Sequence, residues 1–279
     1  MEPVMARKMW RTLEPYHGLI YFAPEGADAY AALGVTGRDG YFASRAAAMG
    51  AVPAEVVIAT FFNFNPELVR HAIPAAWDAA APRDLVAARF GAADAALRRA
   101  LGDAVDEPEV TRAAGLARVA ADACSPHGRP LFAGQSSLPW PDAPHLALWH
   151  AISLLREFRG DGHIAALVDA QLSGLDALVL HAASSEVPRA VLQTSRGWSD
   201  AAWELAVAGL AGRGLVDGNG AFTDAGAALR QHIEDRTDTL ALAPWEALGD
   251  DGCDELRGLV RPLSKAIVES GALSVLPGP

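Results

Sequence analysis

The densest run of reactive side chains is Arg156-Glu157-Phe158-Arg159-Gly160-Asp161-Gly162-His163, set between apolar stretches. Two readings fit it. In one, Gly160 and Gly162 permit a sharp bend between two helices, Asp161 caps the helix that begins near His163, and Arg–Glu pairing completes the corner. In the other, the Asp161 carboxylate orients the His163 imidazole, giving a catalytic pair; an oriented imidazole is a general base or a ligand grip, and Arg45 or Arg159 would hold an anion. Trp149 and His150 precede this run, with His150 about two helical turns before Glu157, so both are candidates to line the same cavity.

A second constellation is Tyr41, Arg45 and Met49, spaced so that a phenol, a guanidinium and a thioether share one helical stripe. Core packing with a surface-reaching arginine is one reading; an orienting wall for an aromatic or acidic ligand is the other. In Phe61-Phe62-Asn63-Phe64-Asn65-Pro66, Asn65 reads as a helix N-cap followed by proline, whereas Asn63 is an amide among phenylalanines that needs a partner if buried. Trp198 and Trp203 add stacking surface. The candidate ligand-binding set is therefore Tyr41, Arg45, Asn63, Trp149, His150, Arg159, Trp198 and Trp203, beside the catalytic candidates Asp161 and His163. The G-x-S-x-G, P-loop, dinucleotide-loop and H-E-x-x-H patterns are absent. His150, His163 and His181 are isolated histidines, which fit hydrogen-bonded positions better than haem or metal ligation, so no cofactor and no metal is expected.

The elements that must position these groups are helices. Ala, Leu, Arg and Glu dominate, few stretches alternate with a period of two, and prolines and glycines punctuate the chain as helix starts and stops. The expected helices are 24–33, 39–49, 53–62, 66–72, 82–101, 107–124, 146–159, 162–172, 175–183, 188–194, 198–213, one from Thr223-Asp224 through Leu240, and a last one from about Asp254 to Ser270. Between Ser125 and Pro144 five prolines interrupt the pattern and suggest a crossing between an N-terminal lobe, 1–143, and a C-terminal lobe, 144–279. Gly218-Asn219-Gly220 between two short apolar runs predicts a β-hairpin. The expected fold class is mainly α: two helical lobes, the second a winged helix-turn-helix with a short hairpin wing.

The stretch from Leu205 through Arg213-Gly214-Leu215-Val216-Asp217 to Phe222-Thr223-Asp224-Ala225-Gly226 and Leu229 resembles the MarR-type winged helix-turn-helix pattern. More widely, Tyr41-Phe42-x-x-Arg45, the Phe61-to-Pro66 run, Leu148-Trp149-His150-Ala151 and Leu155-to-His163 resemble an actinobacterial helix-turn-helix family of unassigned function. This resemblance implies a recognition helix at 198–213. Its early positions are Ser199, Asp200, Trp203 and Glu204, and the wing Asp217-Gly218-Asn219-Gly220 carries no cation. Phosphate contacts need cations, so the residues disfavour the use the resemblance implies.

Composition points the same way. The 279 residues are 51% hydrophobic and 20% charged, which excludes disorder, and the net charge of −11 makes nucleic acid an unlikely partner. Cys124 and Cys253 are far apart and form no disulfide or zinc motif. No basic start leads into an apolar run and no apolar stretch reaches about 18 residues, so no membrane partner and a cytoplasmic location are expected. The expected function is a winged-helix-derived protein binding a small aromatic or amphipathic molecule between its lobes, as a monomer or weak dimer. The alternatives are an enzyme of specialised metabolism using the Asp161–His163 pair, and a ligand-responsive MarR-like transcriptional regulator.

Overall fold

A computed structural model describes residues 1–273. The chain runs α1 (Val4–Gly18), α2 (Pro24–Ala31), α3 (Gly37–Ala46), α4 (Ala54–Phe61), α5 (Pro66–Ala72), α6 (Ala75–Ala79), α7 (Pro82–Leu101) and α8 (Pro108–Asp122). After α9 (Pro130–Ser136) and α10 (Pro144–Asp169) come α11 (Gly174–Ala183), α12 (Arg189–Arg196), α13 (Asp200–Gly212), α14 (Asp224–Leu240) and α15 (Ala243–Glu269). Proline opens α2, α5, α7, α8, α9 and α10, where its missing N–H costs nothing because the first helical donors have no internal acceptor. Side-chain caps do the same work at Asn65, Ser173, Ser199 and Thr223.

Three apolar cores hold these helices. The first joins α1, α7, α8, α10 and α15 around Met9, Tyr16, Leu97, Leu148, Trp149 and Val260. The second gathers Phe42, Phe61, Phe64, Ile73, Leu85 and Leu131 from α3 to α7 and α9. The third packs Leu178, Trp203, Val207, Leu210 and Ile233 from α11, α13 and α14. Helix α10 is the spine: its N-terminal half contributes Leu148 to Phe158 to the first core, its C-terminal half Ala166 and Leu167 to the third. Among the described residues no single helix is long and apolar enough to cross a membrane.

Several expectations are corrected here. The expected hairpin wing is not a pair of strands: Val216 and Phe222 form one isolated antiparallel bridge, and no strand occurs among the described residues. The reason is length. Asp217 Oδ1 accepts the Asn219 and Ala221 N–H groups to close a turn, and Thr223 at once caps α14, so too few residues remain on either arm to extend a ladder. The bend expected at Gly160–Gly162 is also absent; α10 continues for 26 residues through it, so Asp161 caps no helix start. Gly162 serves a close approach instead, since a Cβ there would lie 2.7 Å from Arg129 Nη1 and 3.3 Å from Leu240 Cβ. The proline-rich crossing contains α9, and α1 lies where no helix was expected.

Candidate functional site

The face of α10 that carries Glu157, Gly160, Asp161, Ile164 and Leu167, at three-to-four spacing, forms one wall of a cavity of about 340 Å³. Opposite stand Tyr41 and Arg45 of α3 and the turn from Phe61 to Phe64. Trp10 and Glu14 of α1, Leu178 and His181 of α11, Arg196 of α12, and Arg230 and Glu234 of α14 complete it. The cavity thus lies where the second and third cores meet the spine, at the lower end of the size range of small-molecule sites.

The Phe61–Asn65 turn is the seam between these cores. Phe62 has φ 54° and ψ −53°, a conformation that L side chains rarely adopt. Neighbours on both sides hold it there. Trp198 Nε1 donates to the Asn63 carbonyl at 2.9 Å, the Asn65 N–H donates to the Arg196 carbonyl at 2.9 Å, and Asn65 Nδ2 donates to the Gly197 carbonyl at 2.9 Å. Gly174 packs so tightly that an added Cβ would lie 2.0 Å from the Phe62 carbonyl oxygen. Backbone strain persists only where the surroundings over-determine it, and such places cluster at ligand sites and switches.

A buried ionic network crosses the cavity wall. Arg45 grips Glu157 with both ends of its fork, Nε to Oε1 at 2.9 Å and Nη2 to Oε2 at 2.7 Å, although 112 residues separate them. Arg156 Nη1 also donates to Glu157 Oε2 at 2.9 Å, and Arg45 Nη1 donates to the Tyr41 hydroxyl at 3.1 Å. Burial opposes the Glu157 charge, but the two guanidiniums outweigh it and hold the carboxyl well below the usual carboxylate range. Farther along, Arg159 Nη2 meets Asp238 Oδ1 at 2.9 Å and lies over the Trp10 ring, and Arg230 pairs with Glu234 at 2.8 Å.

Asp161 and His163 both line the cavity but are not a pair. Two residues apart on an uninterrupted helix, they point in different directions. Asp161 Oδ2 accepts the Phe132 N–H at 2.9 Å, and burial pushes its carboxyl up to about 6. His163 Nδ1 lies 2.9 Å from Thr237 Oγ1, whose own hydrogen is committed to the Ile233 carbonyl. The His163 Nδ1–H must therefore donate, which leaves Nε2 as an acceptor, and burial pulls this imidazole down to about 4, so it is neutral near pH 7.

Of the residues singled out from sequence, Tyr41, Arg45, Asn63, Arg159, Asp161 and His163 come together at the cavity. The others do not line it. Trp149 stacks beside His17 and donates to the His17 carbonyl within the first core. His150 is buried against Phe90 and Trp140, both ring nitrogens lacking a partner among the described residues, and burial pulls it down to about 4. Trp203 is a core residue beneath Arg189, and Trp198 is a seam residue. Trp10, Glu14, Arg196, Arg230 and Glu234 were missed; only the i, i+4 spacing of Trp10 with Glu14 and of Arg230 with Glu234 hints at ordered pairs. Among the described residues no three His, Cys, Asp or Glu side chains are grouped to hold a metal ion.

Helix α12 ends at the left-handed Gly197 and α13 starts at the Ser199 cap, so a short turn joins the two helices. The sequence profile of a helix-turn-helix family matches residues 6–274. The chain belongs to that helix-turn-helix family. No curated protein and no solved structure matches it. The exposed positions of this family member's α13 are Asp200, Ala201, Glu204, Leu205, Ala208, Gly209 and Gly212. Arg189 reaches Glu204 at 2.7 Å and Asp200 at 3.5 Å, so the nearest cation is already neutralised. Arg213 at the far end donates to the Gln171 and Ala170 carbonyls.

Proposed function

We propose that this chain fills the regulatory part of the DNA-binding or regulatory role that membership of a helix-turn-helix family suggests, as a small-molecule-binding protein with the ligand held in the cavity between α10, α3 and the Phe61–Phe64 turn. The observation that carries this reading is the cavity itself: aromatic walls, a dense set of convergent charged and polar groups, and strained backbone at one place. The seam bonds from Trp198, Arg196 and Gly197 give a bound molecule a direct mechanical link to the turn between α12 and α13. Sequence-specific DNA reading by α13 is disfavoured by its acidic, cation-free face and by the net charge of −11. Packing of the first and last helices, α1 and α15, into one core of the same chain supports a monomer or weak dimer. The enzyme alternative loses its motivating geometry, because Asp161 and His163 have separate partners.

The test is a thermal-shift screen of small aromatic and amphipathic compounds against the protein and Ile164→Trp, which puts an indole into the cavity wall. Compounds that raise the midpoint of the parent but not of the variant are expected; equal shifts in both, or no shift with any compound, would refute the cavity as the site.

A further inference from the structure

Five arginines line the cavity, Arg45, Arg156, Arg159, Arg196 and Arg230, against four carboxylates, Glu14, Glu157, Asp161 and Glu234. Asp238, just outside this lining, reaches Arg159 and brings the carboxylates level with the arginines, inside a protein whose total is −11. The pairing is nevertheless uneven. Arg45 and Arg156 share Glu157, Arg159 has Asp238, and Arg230 has Glu234. Arg196 has no carboxylate within ion-pair distance among the described residues. Its Nη1 donates to the Ser195 hydroxyl at 3.0 Å, its Nε is buried without a hydrogen-bond partner, and its guanidinium sits 4.6 Å above the Phe64 ring. Burial pulls the Arg196 pKa below the ordinary guanidinium value, and the like charges of Arg45 and Arg156 add to the same effect. His163 and His181 add no positive charge near pH 7, since burial pulls both down.

A half-buried cation with an unsatisfied donor is costly until an acceptor reaches it, and hydrogen bonds to charged groups are the stronger ones. Tyr41 supplies a second donor at the same wall. Its ring lies 5.5 Å from that of Phe64, and its oxygen already accepts from Arg45 Nη1, so the phenolic hydrogen has no acceptor within the described residues. Around these polar groups the walls are apolar: Phe61 and Phe64 on one side, Leu131, Ile164 and Leu178 on the others.

We infer that the cavity takes an amphipathic monoanion, an aromatic or apolar body carrying one carboxylate-type headgroup, and that Arg196, with the Tyr41 hydroxyl beside it, receives that headgroup. This rests on the small-molecule reading above and adds the sign of the ligand. A single negative charge gives Arg196 the anionic partner it lacks, whereas a neutral ligand leaves Arg196 unpaired and a cation adds to the repulsion.

The experiment is calorimetric titration at pH 7.5 with 1-naphthoate and with 1-naphthamide, which share one ring system and differ in charge. The parent is expected to bind naphthoate at least tenfold more tightly than the amide. In Arg196→Met, which keeps the apolar stem over Phe64, and in Arg196→Gln the two probes should bind within twofold of each other, while Arg196→Lys should keep an intermediate preference. Equal binding of both probes by the parent would overturn the charge inference and leave the cavity reading standing. Naphthoate preference undiminished in Arg196→Met and Arg196→Gln would remove Arg196 from the headgroup site. Failure of the parent to bind either probe would refute both the inference and the aromatic-ligand reading. Should the neutral variants not fold, a preference in Arg196→Lys equal to the parent's would count against the Arg196 fork, and a reduced one would support it.

Discussion

Replacing Glu157 by glutamine removes the one carboxylate paired with the buried Arg45 guanidinium, and the nearer carboxylate of the half-buried Arg156. The Glu157 side chain is 2% exposed and that of Arg45 8%, so water cannot take over the lost charge. Breaking a buried ion pair by removing one partner costs about 3–5 kcal/mol, because the surviving charge is left uncompensated. For a domain of this size that is a fall in thermal midpoint on the order of 10 °C. The Arg45→Met/Glu157→Leu double variant should be far less damaged than Glu157→Gln, since replacing both partners by apolar groups is close to neutral in general. The retained Arg156, which can still turn to Glu14, sets the remaining deficit. The sign of the pH dependence follows from the carboxyl's depressed value. Its stabilisation is fully present above the unfolded carboxyl range of about 4.3 and is lost as pH falls below that toward the folded value, so the gap between parent and Glu157→Gln should narrow only below about pH 4. The assay is urea unfolding followed by far-UV circular dichroism at pH 7 and at acid pH. A Glu157→Gln loss under about 1 kcal/mol, or a double variant weaker than the single, would refute the claim that this pair is dry and mutually dependent.

Gly226→Ala should cost roughly 3 kcal/mol or more, because its Cβ would lie 1.8 Å from the Leu215 carbonyl oxygen, whereas Gly209→Ala, with open space around it, should be neutral or gain about 0.5–1 kcal/mol; chemical unfolding of both checks the close approach of α14 to the Leu215 arm. Asp161 has a raised folded value of about 6, so its contribution is present below the ordinary aspartate value and lost as pH rises through 6; Asp161→Asn, which can still accept the Phe132 N–H, should match the parent near pH 4 and exceed it by roughly 1–3 kcal/mol at pH 7.5, with equal stability at both pH values as the contrary result. Trp198→Phe should cost about 1–3 kcal/mol by leaving the Asn63 carbonyl without its donor, and should raise protease susceptibility at the seam; unchanged unfolding and digestion would show that the seam does not depend on this bond. Duplex DNA from any promoter should not be bound sequence-specifically at about 0.15 M salt in a mobility-shift assay, and nanomolar binding surviving that salt would contradict the acidic face of α13.

Helix punctuation was legible where local chemistry alone decides it: the Asn65–Pro66 start and the Thr223–Asp224 start sit where the sequence places them. Helix α1 was not, because it has no side-chain cap and holds Pro15 in its last turn, while its buried Met9, Leu13 and Tyr16 make sense only against α10 and α15. The Asn-Gly turn exists, yet a turn signal says nothing about how far the arms pair. At Gly160–Gly162 the sequence shows missing side chains but not whether they serve a bend or a close neighbour; Arg129 and Leu240 decide that from far along the chain. Tyr41, Arg45 and Asn63 were legible as polar groups on apolar elements. That Glu157 is the partner of Arg45, and that Arg196 has no carboxylate partner among the described residues, are long-range facts that no local pattern encodes.

The central claim is that the cavity beside α10 holds a small molecule. Native mass spectrometry of the protein as purified, beside Ile164→Trp, tests it most directly. A discrete small-molecule adduct on the parent that is missing from a folded Ile164→Trp is the result expected. An adduct of the same mass and occupancy on both proteins would contradict the claim.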